Sequence, residues 1–140
     1  MIKHFLWLLA LTMSNLVWAQ TEAVHIIPEF TFESGKTLKD MKVGYVTHGT
    51  LNESKSNAIL ITHGTSGNRL GYNIYIGPNK AFDTNKYFVI AVDAIGGGNS
   101  SSPLSTGLGI DFPRYTIRDM VKAQYDLITK GLGIKKLVAV

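Results

Sequence analysis

Apolar and polar positions along the chain form patterns typical of β-strands. Residues 24–32 and 41–47 alternate between the two classes, and the polar segment 33–36 between them resembles a turn, so together they predict an antiparallel hairpin. Residues 58–62 and 87–92 are continuous apolar runs, which favour strands buried on both faces of a parallel sheet. The pattern therefore predicts an antiparallel start that continues into a buried sheet.

One stretch carries the signals of an α-helix. Thr116 can cap a helix, and Asp119 completes a capping box three residues later. Apolar residues then recur on one face as far as Ile128, and Gly131 ends the pattern. The sequence therefore predicts a helix that begins after Thr116.

Two shorter elements complete the expected fold. Pro78 is placed at the start of a short helix that runs towards Phe82, because the missing N–H of proline is harmless at that position. The apolar residues 137–140 predict a further buried strand in the middle of the sheet. Strands that alternate with helices after an opening hairpin predict an α/β fold with a mostly parallel sheet.

Composition narrows the functional classes. A chain of 140 residues with 45% apolar and 17% charged residues suits one globular unit. The net charge of +4 comes from scattered basic residues without interleaved aromatic side chains, so nucleic acid is not an expected partner. The absence of cysteine excludes disulfides, thiolate nucleophiles and cysteine metal sites.

The first residues have the three parts of a secretory signal peptide. A short cationic start precedes an apolar run, and small residues stand at Val17 and Ala19, where a signal peptidase reads the chain. We expect cleavage after Ala19, which leaves residues 20–140 as the mature chain in the periplasm or outside the cell. No stable membrane anchor is then expected, and an uncleaved interfacial anchor is the alternative.

His63, Gly64 and Thr65 directly follow the apolar run 58–62. They therefore lie at the carboxyl end of a predicted parallel strand, where ligands bind in α/β folds. The glycine allows a sharp turn that exposes backbone N–H groups, as an oxyanion hole requires. The alternative is an ordinary turn in which His63 is hydrogen-bonded for structural reasons.

Residues 96–102 form a second glycine-containing loop after a strand. Ser101 stands where a dinucleotide-binding fingerprint needs glycine, so a flexible or substrate-lining loop is favoured, with Asn99 and Ser100 as candidate substrate contacts. Asp93 closes the preceding strand and is a candidate general base or hydrogen-bonding residue, although a solvated strand end is the commonest role. No metal site is predicted, since the histidines lack ligand spacing. Serines cluster around Ser66 and at residues 100–102, and neither cluster has the Gly-x-Ser-x-Gly pattern of a nucleophile.

Taken together, colinear segments of the mature chain resemble the opening of homoserine O-acetyltransferases. The segments are 32–38 (FESGKTL), Tyr45, 49–52 (GTLN), 55–60 (KSNAIL), 63–64 (HG), 76–78 (IGP), 80–84 (KAFDT), 87–90 (YFVI), 111–113 (DFP) and 116–121 (TIRDMV). Residues 72–75 and the serine run 100–102 depart from the family pattern. These departures lie in segments that line the family's active-site entrance, so they leave the substrate open.

The resemblance implies an α/β-hydrolase fold, of which this chain is an N-terminal part truncated before the nucleophile elbow. In the family, a serine takes an acetyl group from acetyl-CoA and passes it to an alcohol, and the resemblance places the Ser-Asp-His triad beyond residue 140. The backbone N–H of Thr65, presented by His63 and Gly64, corresponds to an oxyanion donor. The full-length protein is then an enzyme, whereas this chain alone is expected to be inactive.

Three functions remain open from the sequence. The first is an acyltransferase, for which acetyl-CoA would be the acyl donor without being a bound cofactor. The second is a secreted esterase that uses water as the acceptor, and the third is a non-catalytic fragment or binding module. The expected partners are a small-molecule ester or alcohol and, for the full-length protein, a second copy in a homodimer.

Overall fold

The computed structural model describes residues 20–140. The predicted signal peptide, residues 1–19, lies outside the described residues. The described part forms one four-stranded sheet with the strand order β1-β2-β6-β3, and a separate two-stranded pair, β4-β5.

The opening hairpin is confirmed, and its strands are longer than the pattern indicates. Strand β1 (Gln20–Thr31) pairs antiparallel with β2 (Thr37–His48). Between them, the N–H of Phe32 donates to the carbonyl oxygen of Lys36 at 2.9 Å and closes the predicted turn. The extra length comes from polar end residues that pair through their backbone, which hydrophobic alternation does not reveal.

The two apolar runs form neighbouring parallel strands. β3 (Ala58–Thr62) pairs in parallel with β6 (Phe88–Val92), which in turn pairs antiparallel with β2. The chain therefore leaves β2, forms β3 at the far side, and returns to place β6 between them. Parallel pairing thus begins at β3 and β6.

The predicted strand at residues 137–140 is much shorter than expected. It contacts β3 through one parallel bridge, between Ile59 and Ala139. Two hydrogen bonds support the bridge, from the N–H of Val138 to the carbonyl of Ala58 and from the N–H of Leu60 to the carbonyl of Ala139. Among residues 20–140 no strand lies on its other side, and its predicted place in the middle of the complete sheet stays a prediction.

Apolar side chains cover both faces of the sheet. On one face, residues of all four strands pack with the helical segments around Ala123, Leu127 and Ile128. On the other, Ile59, Ile61, Val89 and Ala91 pack with Val46, Ile76, Phe82 and Tyr87. The continuous apolar runs are therefore explained by burial on two faces, as predicted.

The predicted capped helix is present. α1 spans Ile117–Asp126, and the Thr116 and Asp119 side chains form the complete capping box. A π-helical turn, Leu127–Gly131, continues α1 and closes with a 2.9 Å bond from the N–H of Leu132 to the carbonyl of Leu127. Within residues 20–140, no helix has the length and apolar character needed to cross a membrane.

The prediction of a short helix from Pro78 towards Phe82 is wrong. A 3₁₀ turn at Asn73–Tyr75 leads instead into the parallel pair β4 (Ile76–Gly77) and β5 (Phe82–Asp83). The carboxylate of Asp83 accepts the N–H of Asn79 at 3.0 Å, and Asn79 has a φ of 57°. A left-handed residue bonded to a downstream carboxylate cannot continue a helix.

Candidate functional site

The carboxyl ends of β3 and β6 lie side by side, because the two strands run parallel and pair along their length. A cavity of about 640 Å³ opens next to them. Most of its lining comes from residues 62–67, from residues 94–97, and from Tyr115 with the first turns of α1. Ligands of open α/β sheets bind at this edge of the sheet, which makes the cavity the candidate site.

Residues 64–67, called the Thr65 turn below, form a tight turn after β3. The N–H of Gly67 donates to the carbonyl oxygen of Gly64 at 3.0 Å, and Ser66 has a φ of 64°. A positive φ at the third residue is a feature of type II turns. Thr65 is the second residue and lines the cavity, and its N–H donates to no acceptor among the described residues. Its role as an oxyanion donor stays a prediction.

His63 joins the Thr65 turn to the neighbouring strand. Its Nε2 atom accepts the backbone N–H of Ala94 at 3.0 Å, so the proton of the neutral imidazole is on Nδ1. The Nδ1 atom donates to the carbonyl oxygen of Gly64 at 2.8 Å. Because both ring nitrogens bind backbone groups, the geometry favours a positioning role for His63 over direct chemistry.

The sequence favours a solvated strand end for Asp93, but the structure places this residue in the interior. Its side chain is fully buried. One carboxylate oxygen accepts the backbone N–H of Arg69 at 2.8 Å, and the other accepts the Nη1 group of Arg69 at 2.9 Å and the N–H of Asn99 at 2.8 Å. A carboxylate that is buried and bonded in this way is held in place and is not available as a general base.

Gly98 allows the backbone to approach this carboxylate. It has a φ of 56°, and a Cβ atom at this position would lie 2.2 Å from the Cγ atom of Asp93. Only glycine tolerates both the left-handed conformation and the close approach. One glycine of the loop 96–102 is therefore explained by packing against Asp93.

The same loop does not present its predicted substrate contacts to the cavity. Ser100 is 1% exposed, and its hydroxyl donates to the carbonyl of Asp93 and accepts the N–H of Gly44, both at 2.9 Å. The Ser100 hydroxyl therefore binds backbone groups within the described residues, and its predicted contact with substrate stays a prediction. Asn99 is exposed but does not line this cavity, and its N–H is bonded to Asp93.

Arg69 is a residue for which the sequence pattern gives no signal. Its side chain is 10% exposed and joins buried Asp93 to half-exposed Glu22 on β1. The hydrogen bond with Glu22 holds the pKa of the Arg69 guanidinium above its usual value; burial opposes this effect and the charge of Asp93 reinforces it.

A third polar feature, His48, lies away from this site. His48 ends β2 and lines a separate cavity of about 340 Å³ together with Gln20, Asn73 and Thr84. Its Nε2 atom is buried without a hydrogen-bond partner in the described part of the chain. Across residues 20–140, no three His, Asp or Glu side chains are arranged to hold a metal ion.

No family model matches the chain, but individual proteins do. The homoserine O-acetyltransferase of Methanohalobium evestigatum is 44% identical over 140 aligned positions, which cover 86% of this chain and 28% of the relative. An acetylester hydrolase from Corynebacterium glutamicum is 38% identical with a TM-score of 0.77, covering 84% of this chain and 35% of its own. The homoserine O-acetyltransferase from Bacillus anthracis is 34% identical with a TM-score of 0.73, covering 84% and 38%.

The chain thus spans less than a third of the length of that curated relative. Within this part, sequence and fold agree with the resemblance that the motifs indicate. The chain therefore resembles the homoserine O-acetyltransferases over the N-terminal part of their length, and its fold is the N-terminal part of the α/β-hydrolase fold.

Proposed function

We propose that the full-length protein is a serine enzyme of acyl transfer or ester hydrolysis, and that this chain supplies one donor of its oxyanion hole. The observation that carries the proposal is the Thr65 turn. It follows β3 at the carboxyl edge of the sheet, lines the 640 Å³ cavity, and leaves the N–H of Thr65 without an acceptor among the described residues. The family resemblance supports the same assignment.

The chemistry requires a donor at this position. When a serine Oγ attacks an ester or thioester carbonyl, the C=O double bond opens and its oxygen becomes negative. A fixed N–H that donates to this oxyanion stabilises the transition state more than the substrate, and this difference accelerates the reaction. We propose that the N–H of Thr65 has this role, while His63 and Gly64 hold the turn. The nucleophile and its Asp and His partners are proposed to lie beyond residue 140.

The acyl acceptor separates the two leading functions. Identity to homoserine O-acetyltransferases supports an alcohol acceptor, with acetyl-CoA as the donor. The structural likeness to an acetylester hydrolase supports water, and so does the proposed export, because acetyl-CoA is not available outside the cytoplasm. Of the two, we propose the esterase as the function of the exported protein and the transferase as the alternative.

The coding sequence after Val140 gives the first test. A Gly-x-Ser-x-Gly motif within about ten residues, followed much later by Asp and His, is the expected result. A stop codon directly after Val140 would leave only the non-catalytic fragment or binding module.

Substitution of Thr65 in the full-length protein tests the oxyanion donor. Thr65→Pro removes the N–H but suits the second position of this turn, so kcat/KM for p-nitrophenyl acetate should fall by about 100- to 1,000-fold. Thr65→Ala keeps the N–H and is the matched control, with activity expected near that of wild type. Equal activity of the two variants would contradict the assignment.

The acceptor is tested with the same protein. Release of acetate from acetyl esters that is unaffected by homoserine, with no CoA released from acetyl-CoA, is expected for the esterase. Homoserine-dependent release of CoA would instead establish the transferase.

A further inference from the structure

We propose that Arg69 and Asp93 are positioning residues that hold the Thr65 turn in its active geometry without contacting the reacting atoms. The inference rests on the proposed function, since it assigns these residues to the same oxyanion hole. It is carried by a relationship between the two ends of the loop that contains the Thr65 turn. Both ends are bound to adjacent residues at the carboxyl end of β6.

The loop is fixed before the turn by His63 and after it by Arg69. His63 binds the N–H of Ala94 through Nε2 at 3.0 Å. Arg69 donates its backbone N–H to Asp93 at 2.8 Å and its Nη1 group to the same carboxylate at 2.9 Å. Asp93 and Ala94 are neighbours in the chain, so a single dipeptide holds the residues on both sides of the Thr65 turn.

The contact between Arg69 and Asp93 is a buried ion pair, and this burial points to a positioning role. Asp93 is fully buried, and Arg69 is 10% exposed. Burying an ion pair is costly, and a well-packed apolar pair is often equally stable, so stability alone is a weak reason for the pair. A carboxylate that binds both the backbone and the side chain of one residue fixes the position and the orientation of that residue.

Asp93 also connects the loop that contains the Thr65 turn to the loop of residues 96–102. The N–H of Asn99 donates to the same carboxylate oxygen as the Nη1 group of Arg69, and Gly98 provides the necessary space. Loss of the carboxylate would therefore release the Thr65 turn on one side and residues 96–99 on the other. Both segments border the candidate site, since Gly96 and Gly97 line the cavity.

The test compares single and paired substitutions in the full-length protein. Arg69→Met leaves a buried carboxylate without its cation and should destabilise the fold. Adding Asp93→Asn removes that charge, so the double variant should recover much of the lost thermal stability. It should not recover full activity, because the side-chain bond between residues 69 and 93 is still absent and only the backbone N–H of residue 69 keeps an acceptor. We expect kcat/KM for p-nitrophenyl acetate to stay about 10- to 100-fold below wild type, mainly through kcat.

A readout independent of turnover separates this proposal from the proposed function. Hydrogen exchange of amides 65–71 should become faster in the double variant, whereas exchange within β3 and β6 should stay as in wild type. Arg118→Met is the matched control, since it removes an arginine from an exposed pair with Glu33. It should leave both exchange and activity unchanged.

The outcomes are distinguishable. An inactive wild-type protein in which the double variant still accelerates exchange at 65–71 would reject the proposed function and keep the positioning role. Unchanged exchange at 65–71 in the double variant, or recovery of activity together with stability, would overturn the positioning role.

Discussion

The Nε2 atom of His63 lies 3.0 Å from the backbone nitrogen of Ala94 and accepts its N–H, so an imidazole joins the carboxyl ends of β3 and β6. The remaining ring nitrogen donates to Gly64 at the start of the Thr65 turn. His63 therefore transmits the position of one strand end to the turn that follows the other. Because His63 makes this contact through its side chain, substitution of His63 tests how the predicted loop is held.

Replacing His63 with phenylalanine in the full-length protein should impair both stability and activity. An aromatic ring is kept, but the N–H of Ala94 loses its acceptor, which costs about 1–3 kcal/mol in the free energy of unfolding. The Thr65 turn should also shift, so kcat/KM with p-nitrophenyl acetate should fall by at least about tenfold. Urea unfolding and ester turnover measure the two effects. His63→Gln, which offers an acceptor oxygen, should be milder; equal effects would exclude the hydrogen bond as the cause.

Asp119 should contribute more to stability than an ordinary helix cap. It is 1% exposed, and its carboxylate accepts the N–H of Thr116 and the N–H of Glu33 in the hairpin turn, both at 2.9 Å. Asp119→Ala leaves both donors without a partner, so we expect a loss of about 1–3 kcal/mol in the full-length protein by urea unfolding. Asp111→Ala, at an exposed site, should change stability by less than about 0.5 kcal/mol. A similar small effect at both positions would contradict the structural role.

Local patterns predicted much of this fold because the corresponding elements depend on local chemistry. The β3 and β6 runs are apolar on two faces, and Thr116 with Asp119 forms a cap within four residues. The segment after Pro78 does not form the predicted helix. The backbone N–H of Asn79 donates to the carboxylate of Asp83, and this bond outweighs the preference of proline for the first position of a helix. Partners outside the segment decide such cases.

The site divides in the same way. The position of Thr65 follows from the end of an apolar strand and a glycine, both of which the sequence displays. The pairing of Asp93 with Arg69 joins residues 24 positions apart through loops without a regular pattern. The sequence places Ser100 in a loop after a strand, but it does not show that the Ser100 hydroxyl accepts the backbone N–H of Gly44 on β2.

His48 should make stability depend on pH. Burial lowers the pKa of His48 below its usual value. The folded protein therefore binds this proton less tightly than the unfolded chain, so the free energy of unfolding should fall as pH drops below about 6.5. Urea unfolding of wild type and His48→Gln between about pH 8 and pH 5 measures the effect. The variant should lose that part of the pH dependence, and identical profiles would assign it to other groups.

Export should depend on residues 1–19. A protein that begins at Gln20 should remain in the cytoplasm of an expressing bacterium, whereas the protein with its leader should be exported, because the leader is the targeting signal that the sequence indicates. N-terminal sequencing of the exported protein should begin at Gln20. Exported material that still begins with Met1 would contradict cleavage after Ala19 and favour the interfacial anchor.

The chain of residues 20–140, expressed alone, should neither fold cooperatively nor hydrolyse esters. The helix α1 leaves Ile117 77%, Val121 57% and Tyr125 67% exposed, and within residues 20–140 the edge of β3 is covered only by the bridge to Ala139. Apolar surface left in water forfeits about 25 cal/mol per Å², which is large against a domain stability of about 5–15 kcal/mol. An open strand edge also invites aggregation.

Catalysis should fail for a separate reason. An N–H at Thr65 can polarise a carbonyl, but it cannot accept the acyl group without a nucleophile. Differential scanning calorimetry should therefore show no sharp transition, and p-nitrophenyl acetate should hydrolyse at the rate of the buffer blank. The full-length protein under identical conditions is the positive control. A sharp transition in the isolated chain would show that the fold boundary lies within it, and turnover above the blank would show that it contains a nucleophile of its own.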